Sequence, residues 1–194
     1  MKAGLASRVW GLSEALSEKL LLLDQAILDR VSGSRFLRRL DTLLLLATYL
    51  GDGYIWGLFG FWLIFWGGPR DHRHVLAGLA VSVVQLTLVK LLKLFFRRER
   101  PPAFVPVRRF FILDSHAFPS GHATLAFGMA TLTLRFYGDW IGLVLLTYLL
   151  ATVISLSRIY LREHYPLDVF GGVILGSVTS WILAPLLENA IPWG

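Results

Sequence analysis

Long apolar runs separated by short polar islands dominate this chain. From Thr42 to Trp66 almost every position is apolar, with one interruption at Gly51-Asp52-Gly53. Each half is too short to cross a bilayer, because a span needs roughly 20 residues; the pattern predicts one long, kinked span. Gly67 to His74 reads as a short polar turn. Further spans are predicted over Val75–Phe96, Ser120–Phe136, Ile141–Ser157 and Leu167–Leu187. Gly172 and Gly176 give the last of these a small-xxx-small face for close helix packing. Residues 12 to 35 follow a different pattern. Leu16, Leu20, Leu23, Ile27 and Val31 recur at helical spacing, with Glu14, Glu18, Lys19, Asp24 and Asp29 between them. This amphipathic helix is too charged to span and is expected to lie in the membrane interface, with Arg35, Arg38 and Arg39 as headgroup contacts. The predicted architecture is all-α: a polytopic bundle of five transmembrane spans over 41–194, preceded over 1–40 by an N-terminal amphipathic interfacial segment or an extra membrane helix.

Composition narrows the function classes. The chain is 55% hydrophobic, which is high for a soluble domain. It has no cysteine, so disulfides and thiolate metal sites are excluded. The net charge of +6 points to anionic lipid headgroups rather than nucleic acid, for which no aromatic-basic motif is present. No uninterrupted apolar run follows Met1, so no cleavable signal peptide is expected. His72 and His74 have no nearby third ligand and read as loop histidines near headgroups, not as a metal site.

Counting crossings from the second span brings three polar islands to one side of the membrane: Lys93 to Pro101, Pro119 to His122, and Ser157 to Asp168. In the first, Lys90, Lys93, Arg97 and Arg100 are spaced three, four and three residues apart, which puts them on one face of a helix, with Lys93 and Arg100 about 10 Å apart along the axis. Taken alone, such a set is a basic collar at a helix end. In the second, Ser120 is suited to cap a helix whose free N–H groups attract an anion, phosphate above all. In the third, Pro166 starts a helix and places Asp168 in its first turn, four residues after His164. Asp168 is then suited to fix the His164 tautomer and leave the other ring nitrogen as a nucleophile; a lone His-x3-Asp is more often a helix cap beside an interfacial histidine. Together the islands supply two histidines, one orienting carboxylate and at least three cations, an inventory for phosphoryl transfer. Few carboxylates lie near the islands, Asp114 apart, so no magnesium site and no cofactor is expected.

Lys93-x6-Arg100-Pro101, Pro119-Ser120-Gly121-His122 and Ser157-Arg158-x5-His164-x3-Asp168 resemble, in order and spacing, the three-part signature of the type 2 phosphatidic acid phosphatase superfamily. The resemblance implies roles. His164 would be the nucleophile, forming a phosphohistidine; Asp168 would orient it; His122 would be the general acid. Lys93, Arg100, Arg158, Ser120 and the Gly121 amide would hold the phosphate. It also implies metal-independent hydrolysis of a lipid phosphate. Membrane relatives commonly carry another span where this chain has the charged segment 12–35. Gly121 is the residue found in the broad lipid phosphatases, whereas some undecaprenyl-diphosphate phosphatases have Asp there.

The expected function is therefore a membrane lipid phosphate phosphatase. Its substrates would be phosphatidic acid, phosphatidylglycerol phosphate or an isoprenyl diphosphate. The alternatives are a lipid A phosphatase or lipid phosphotransferase on the same site, and a non-catalytic lipid-phosphate binder or transporter, which would need cations but no paired histidines. The resemblance places the protein in a bacterial inner membrane with its site facing outward. Counted raw, Arg97, Arg98, Arg100, Arg108, Arg109, Arg158 and Arg162 point the other way by the positive-inside rule, but those that bind phosphate carry no topological weight.

Overall fold

A computed structural model describes residues 2–102 and 116–190, the side chains of 2–16 and of Asn189 apart; Arg108, Arg109 and Asp114 lie outside the described residues. The chain forms eight helices there: α1 (Lys2–Ser32), α2 (Arg35–Arg38), α3 (Asp41–Leu50), α4 (Tyr54–Trp66), α5 (Pro69–Phe96), α6 (Gly121–Tyr137), α7 (Ile141–Tyr160) and α8 (Pro166–Ala190). Helices α5, α7 and α8 are long and apolar enough to cross a membrane, and α3 with α4 makes a fourth candidate, bent by 56°. The bend falls at Gly51-Asp52-Gly53. Gly53 has φ 107°, a conformation that L side chains rarely adopt.

Helix α6 is the hub. Its 17 residues are at the short end of what crosses a bilayer. Its composition suits a position inside protein: Ala123, Thr124, Ala126, Gly128, Ala130 and Thr131 are buried. Small side chains let α8 approach closely. A side chain at Gly176 would run into the Thr124 carbonyl, and one at Gly172 into the Ser120 carbonyl, so the small-xxx-small face packs as expected. Gln85 bridges α5 to α8 from a buried position: its amide nitrogen donates to the Gly176 carbonyl (3.1 Å) and to the Thr179 and Ser180 hydroxyls (2.9 Å each). Such polar contacts join helices in an apolar medium. Leu79, Val83, Leu145, Leu149 and Ile182 point outward, the placement expected of a bundle solvated by lipid.

Three local expectations change. Gly67 to His74 is not a polar turn: Pro69 opens α5, and Asp71 reaches back to accept the Gly68 N–H at 2.8 Å. His74 is consequently buried, stacked on Phe136 at 4.2 Å and 3.3 Å from Glu188, rather than a loop histidine near headgroups. At its other end α5 stops at Phe96, where Arg97 turns left-handed at φ 48° and caps the helix through its N–H to the Lys93 carbonyl. Lys93 and Arg100 therefore do not share a helical face, and the chain turns back before Arg100. Finally, α1 directs Asp24 and Leu28 into the protein and Leu20 to Leu23 and Ile27 outward. Asp24 and Asp29 serve as contacts to the bundle.

Candidate active site

The end of α5, the start of α6, the end of α7 and the start of α8 meet at one end of the bundle. Backbone bonds tie the islands together: the Ala117 N–H donates to the Arg98 carbonyl (2.7 Å) and the Ser120 N–H to the Asp168 carbonyl (2.9 Å). The chain re-enters from α7 through Arg162, held at φ 57°, and the Glu163 and His164 N–H groups both donate to the Arg158 carbonyl. This turn places His164 at the base of the site, 1% exposed.

Every residue expected to hold phosphate is described there. Lys93 is buried and its ammonium donates to the His116 carbonyl at 3.0 Å. Arg158 is fully buried; one terminal nitrogen donates to Thr48 Oγ1 (2.9 Å) and the other to Glu163 Oε2 (3.2 Å). Arg100 donates to the same Glu163 oxygen at 2.9 Å. Thr48 then faces the Ser157 hydroxyl at 2.9 Å, and Ser157 donates to the Ile154 carbonyl. The chain of donors thus runs from Arg158 through Thr48 and Ser157 into α7. Ser120 stands at the N-cap of α6, but its hydroxyl makes no capping bond. That buried oxygen has no hydrogen-bond partner among the described residues. Behind it the N-terminal N–H groups of α6, from Gly121, open toward the site.

The two histidines differ in their surroundings. Burial, and then the positive charges of Arg158, Arg100, Lys93 and His122, hold the His164 imidazole well below the usual histidine range. His164 is therefore neutral with a lone pair available. Its Nδ1 lies 3.8 Å from Asp168 Oδ2, longer than a hydrogen bond. Asp168 has other partners: Oδ2 accepts the Tyr165 N–H (2.8 Å) and Oδ1 a nitrogen of Arg98 (2.7 Å). His122 Nε2 stands 2.8 Å from Asp52 Oδ1.

Sequence reasoning counted few carboxylates here, and the fold corrects that count. Asp24, Asp52 and Glu163 all reach the site. Arg98 forms ion pairs with both Asp24 and Asp168, and its guanidinium lies 4.3 Å from the Tyr165 ring centre. Asp24 also accepts the Leu167 N–H at 2.9 Å, and Asp29 pairs with Arg162 at 2.7 Å. Helix α1 is thereby fastened to the loop that carries His164. A signal for Asp52 was present, an ionisable residue inside an apolar run, and Glu163 adjoins His164. Nothing in the pattern distinguished Asp24 or Arg98 from their charged neighbours.

Residues 73–192 match the PAP2 superfamily, more than half of the chain and all three signature parts. The chain belongs to that superfamily. Among PAP2 proteins it is similar to Escherichia coli (strain K12) YbjG, 33% identical over 120 residues, a match covering 60% of this chain and 58% of that protein. It is 29% identical over 149 residues to the undecaprenyl-diphosphatase of Sulfolobus acidocaldarius, covering 74% of this chain and 68% of that one. Aquifex aeolicus LpxE has the same fold, with a TM-score of 0.64 and 27% identity over 84% of this chain and 95% of that one. So does the transmembrane PAP2 type phosphatidylglycerolphosphate phosphatase of Bacillus subtilis, with a TM-score of 0.69 and 24% identity over 91% and 90%. The PAP2 fold accounts for the convergence of the three islands at one end of a membrane helix bundle.

Proposed function

We propose that this protein is an integral-membrane lipid phosphate phosphatase that works through a phosphohistidine intermediate. The observation that carries the reading is His164: a neutral, fully buried imidazole ringed by Arg158, Arg100 and Lys93. A structural histidine gains nothing from three surrounding cations, whereas a nucleophile that must meet a phosphate dianion does. With Nδ1 turned toward Asp168, Nε2 attacks phosphorus. The cations, the Ser120 hydroxyl and the Gly121 N–H balance the charge on the equatorial oxygens. His122 protonates the departing oxygen, and water later cleaves the phosphohistidine. No metal is assigned a step, since Asp24, Asp52, Glu163 and Asp168 are each engaged by an arginine or a histidine.

A lipid substrate is supported by the apolar groove of about 480 Å³ between α4, α5 and α6, which begins at Asp52 beside His122 and is lined by Trp56, Leu79, Leu86, Met129 and Phe136. The leaving oxygen carries the lipid, so its chain departs on the His122 side, where the groove opens. Relatives named undecaprenyl-diphosphatases favour an isoprenyl diphosphate, while Gly121 favours the broader lipid phosphates. The site faces outward from a bacterial inner membrane in this reading, and the 1–40 segment rests in the interface on that side.

The test is phosphate release by purified protein in lipid vesicles with chelator present. Phosphatidic acid, phosphatidylglycerol phosphate, undecaprenyl diphosphate and lipid A are offered, beside a His164→Ala control. Release from any of them, lost in the control, is expected and ranks the substrates. Equal release by the control overturns the nucleophile assignment. No release from any substrate overturns the phosphatase reading.

A further inference from the structure

Asp52 lies outside the three-part signature, yet the fold is shaped to deliver it. The α3–α4 bend of 56° places it at the head of the lipid groove. Gly53 supplies the left-handed turn, φ 107°. Gly51 supplies close approach: a side chain there would meet His122 Cδ2 at 2.8 Å and Ile154 Cγ2 at 2.6 Å. Both glycines thus serve a break that presses against the His122 ring and sets Asp52 Oδ1 2.8 Å from its Nε2. A bend meant only to kink a membrane helix needs no carboxylate, and an ionisable residue within an apolar run is costly unless it has a partner.

Resting on the phosphatase reading above, we propose that Asp52 is the positioning residue of the leaving-group acid: it orients His122 so that the ring presents a proton to the leaving oxygen. A carboxylate 2.8 Å from one ring nitrogen fixes how the ring is turned. In the first step the His164 lone pair forms the N–P bond as the P–O bond to the lipid breaks. The leaving oxygen takes one ring proton from His122, and Asp52 keeps its negative charge throughout. In the second step water oxygen attacks phosphorus, the N–P bond breaks, and a water proton restores the His122 imidazolium against Asp52. Each histidine thus has a carboxylate beside it, Asp168 at 3.8 Å from His164 and Asp52 at 2.8 Å from His122.

The test compares two esters by kcat/KM, which reports only the steps through phosphoenzyme formation. A lipid phosphate has a poor alkoxide leaving group and needs the acid; p-nitrophenyl phosphate has a good one and barely does. Since general acid catalysis contributes about 10²–10⁴-fold, Asp52→Asn is expected to lose at least roughly 30-fold on the lipid ester and only a few-fold on the aryl ester. Combined with His122→Ala, it should cost nothing further on the lipid ester. Equal losses on both esters, or a full additional loss in the His122→Ala background, overturn the role of Asp52 alone. Wild-type protein that hydrolyses neither ester overturns the phosphatase reading as well. Where Asp52→Asn does not fold, Asp52→Glu keeps the charge one methylene further out, and a lipid-to-aryl ratio between those of the wild type and His122→Ala supports the role. An unchanged ratio refutes it.

Discussion

Replacing Asp24 tests whether α1 is structurally part of the site. Its side chain is 1% exposed and makes two contacts: an ion pair with Arg98, whose side chain is 20% exposed, and acceptance of the Leu167 N–H at 2.9 Å. Asp24→Ala removes both. Losing a charge-assisted hydrogen bond costs about 1.5–3 kcal/mol, and orphaning a buried N–H about 1–3 kcal/mol. Arg98 keeps Asp168 as a partner, which holds the first figure toward its lower end. The sum is roughly 3–4 kcal/mol, or a fall in Tm on the order of 6–16 °C for a chain of this size. Asp24→Asn keeps an acceptor for Leu167 and should lose about half as much. Arg98→Ala should cost more than either, because it leaves two buried carboxylates, Asp24 and Asp168, without their shared cation. The assay is thermal unfolding in detergent for the three variants and the Asp24→Ala/Arg98→Ala pair. A Tm for Asp24→Ala within 2 °C of wild type, or an Arg98→Ala no worse than Asp24→Ala, refutes the reasoning and returns α1 to a loosely attached segment.

Other outcomes are expected at individual residues. Arg158→Lys offers one point charge where a planar fork now reaches Thr48 and Glu163, and should lower kcat/KM on a lipid phosphate by about 10²-fold or more; a loss under about threefold refutes the need for the fork. Gly176→Leu drives a side chain into the Thr124 carbonyl and should prevent assembly of α6 with α8, read as absence of a monodisperse species on size exclusion. His164 gives a pH signature. Its folded-state proton affinity is depressed, so its contribution to stability is complete above about pH 6.5 and lost as pH falls from there toward the depressed value. His164→Gln should therefore flatten the decline in Tm below pH 6.5; an identical decline in both proteins refutes the assignment.

The bundle was legible because apolar runs report on lipid exposure directly, and the three islands were legible because their spacing survives errors of several residues in helix ends. What escaped were contacts between segments far apart in sequence. Asp24 and Arg98 are 74 residues apart, Thr48 and Arg158 are 110, and neither pair leaves a periodic trace. Helix continuation past Phe96 was over-read because Lys93, Arg97 and Arg100 fit a helical face, although Pro101-Pro102 favours extended backbone just before it. On α1 the pattern predicts an apolar and a polar face, but Leu20 to Leu23 and Ile27 face outward while Leu28, Asp24 and Asp29 face partners. A pattern reports two faces without saying which one touches protein.

The same long-range acids change the electrostatic picture of the site. Read from its signature alone, it is a cluster of cations around two histidines. In the folded protein Arg98 is paired with Asp24 and Asp168, Arg100 and Arg158 with Glu163, and His122 with Asp52. Unbalanced cations in a largely buried site would each carry a desolvation penalty of several kcal/mol, so Asp24 and Glu163 add counter-charges beside the signature's own Asp168. The consequence falls on Glu163, which binds Arg100 and Arg158 through a single oxygen. A phosphate engaging those two guanidinium groups must share them with this carboxylate. Affinity for the ground-state dianion is held down, while the arginines stay fixed in orientation. Glu163→Gln should therefore lower KM for a lipid phosphate and lower kcat with it, the signature of ground-state binding gained and preorganisation lost. A rise in KM with kcat unchanged would show that Glu163 merely supports the fold of the α7–α8 turn.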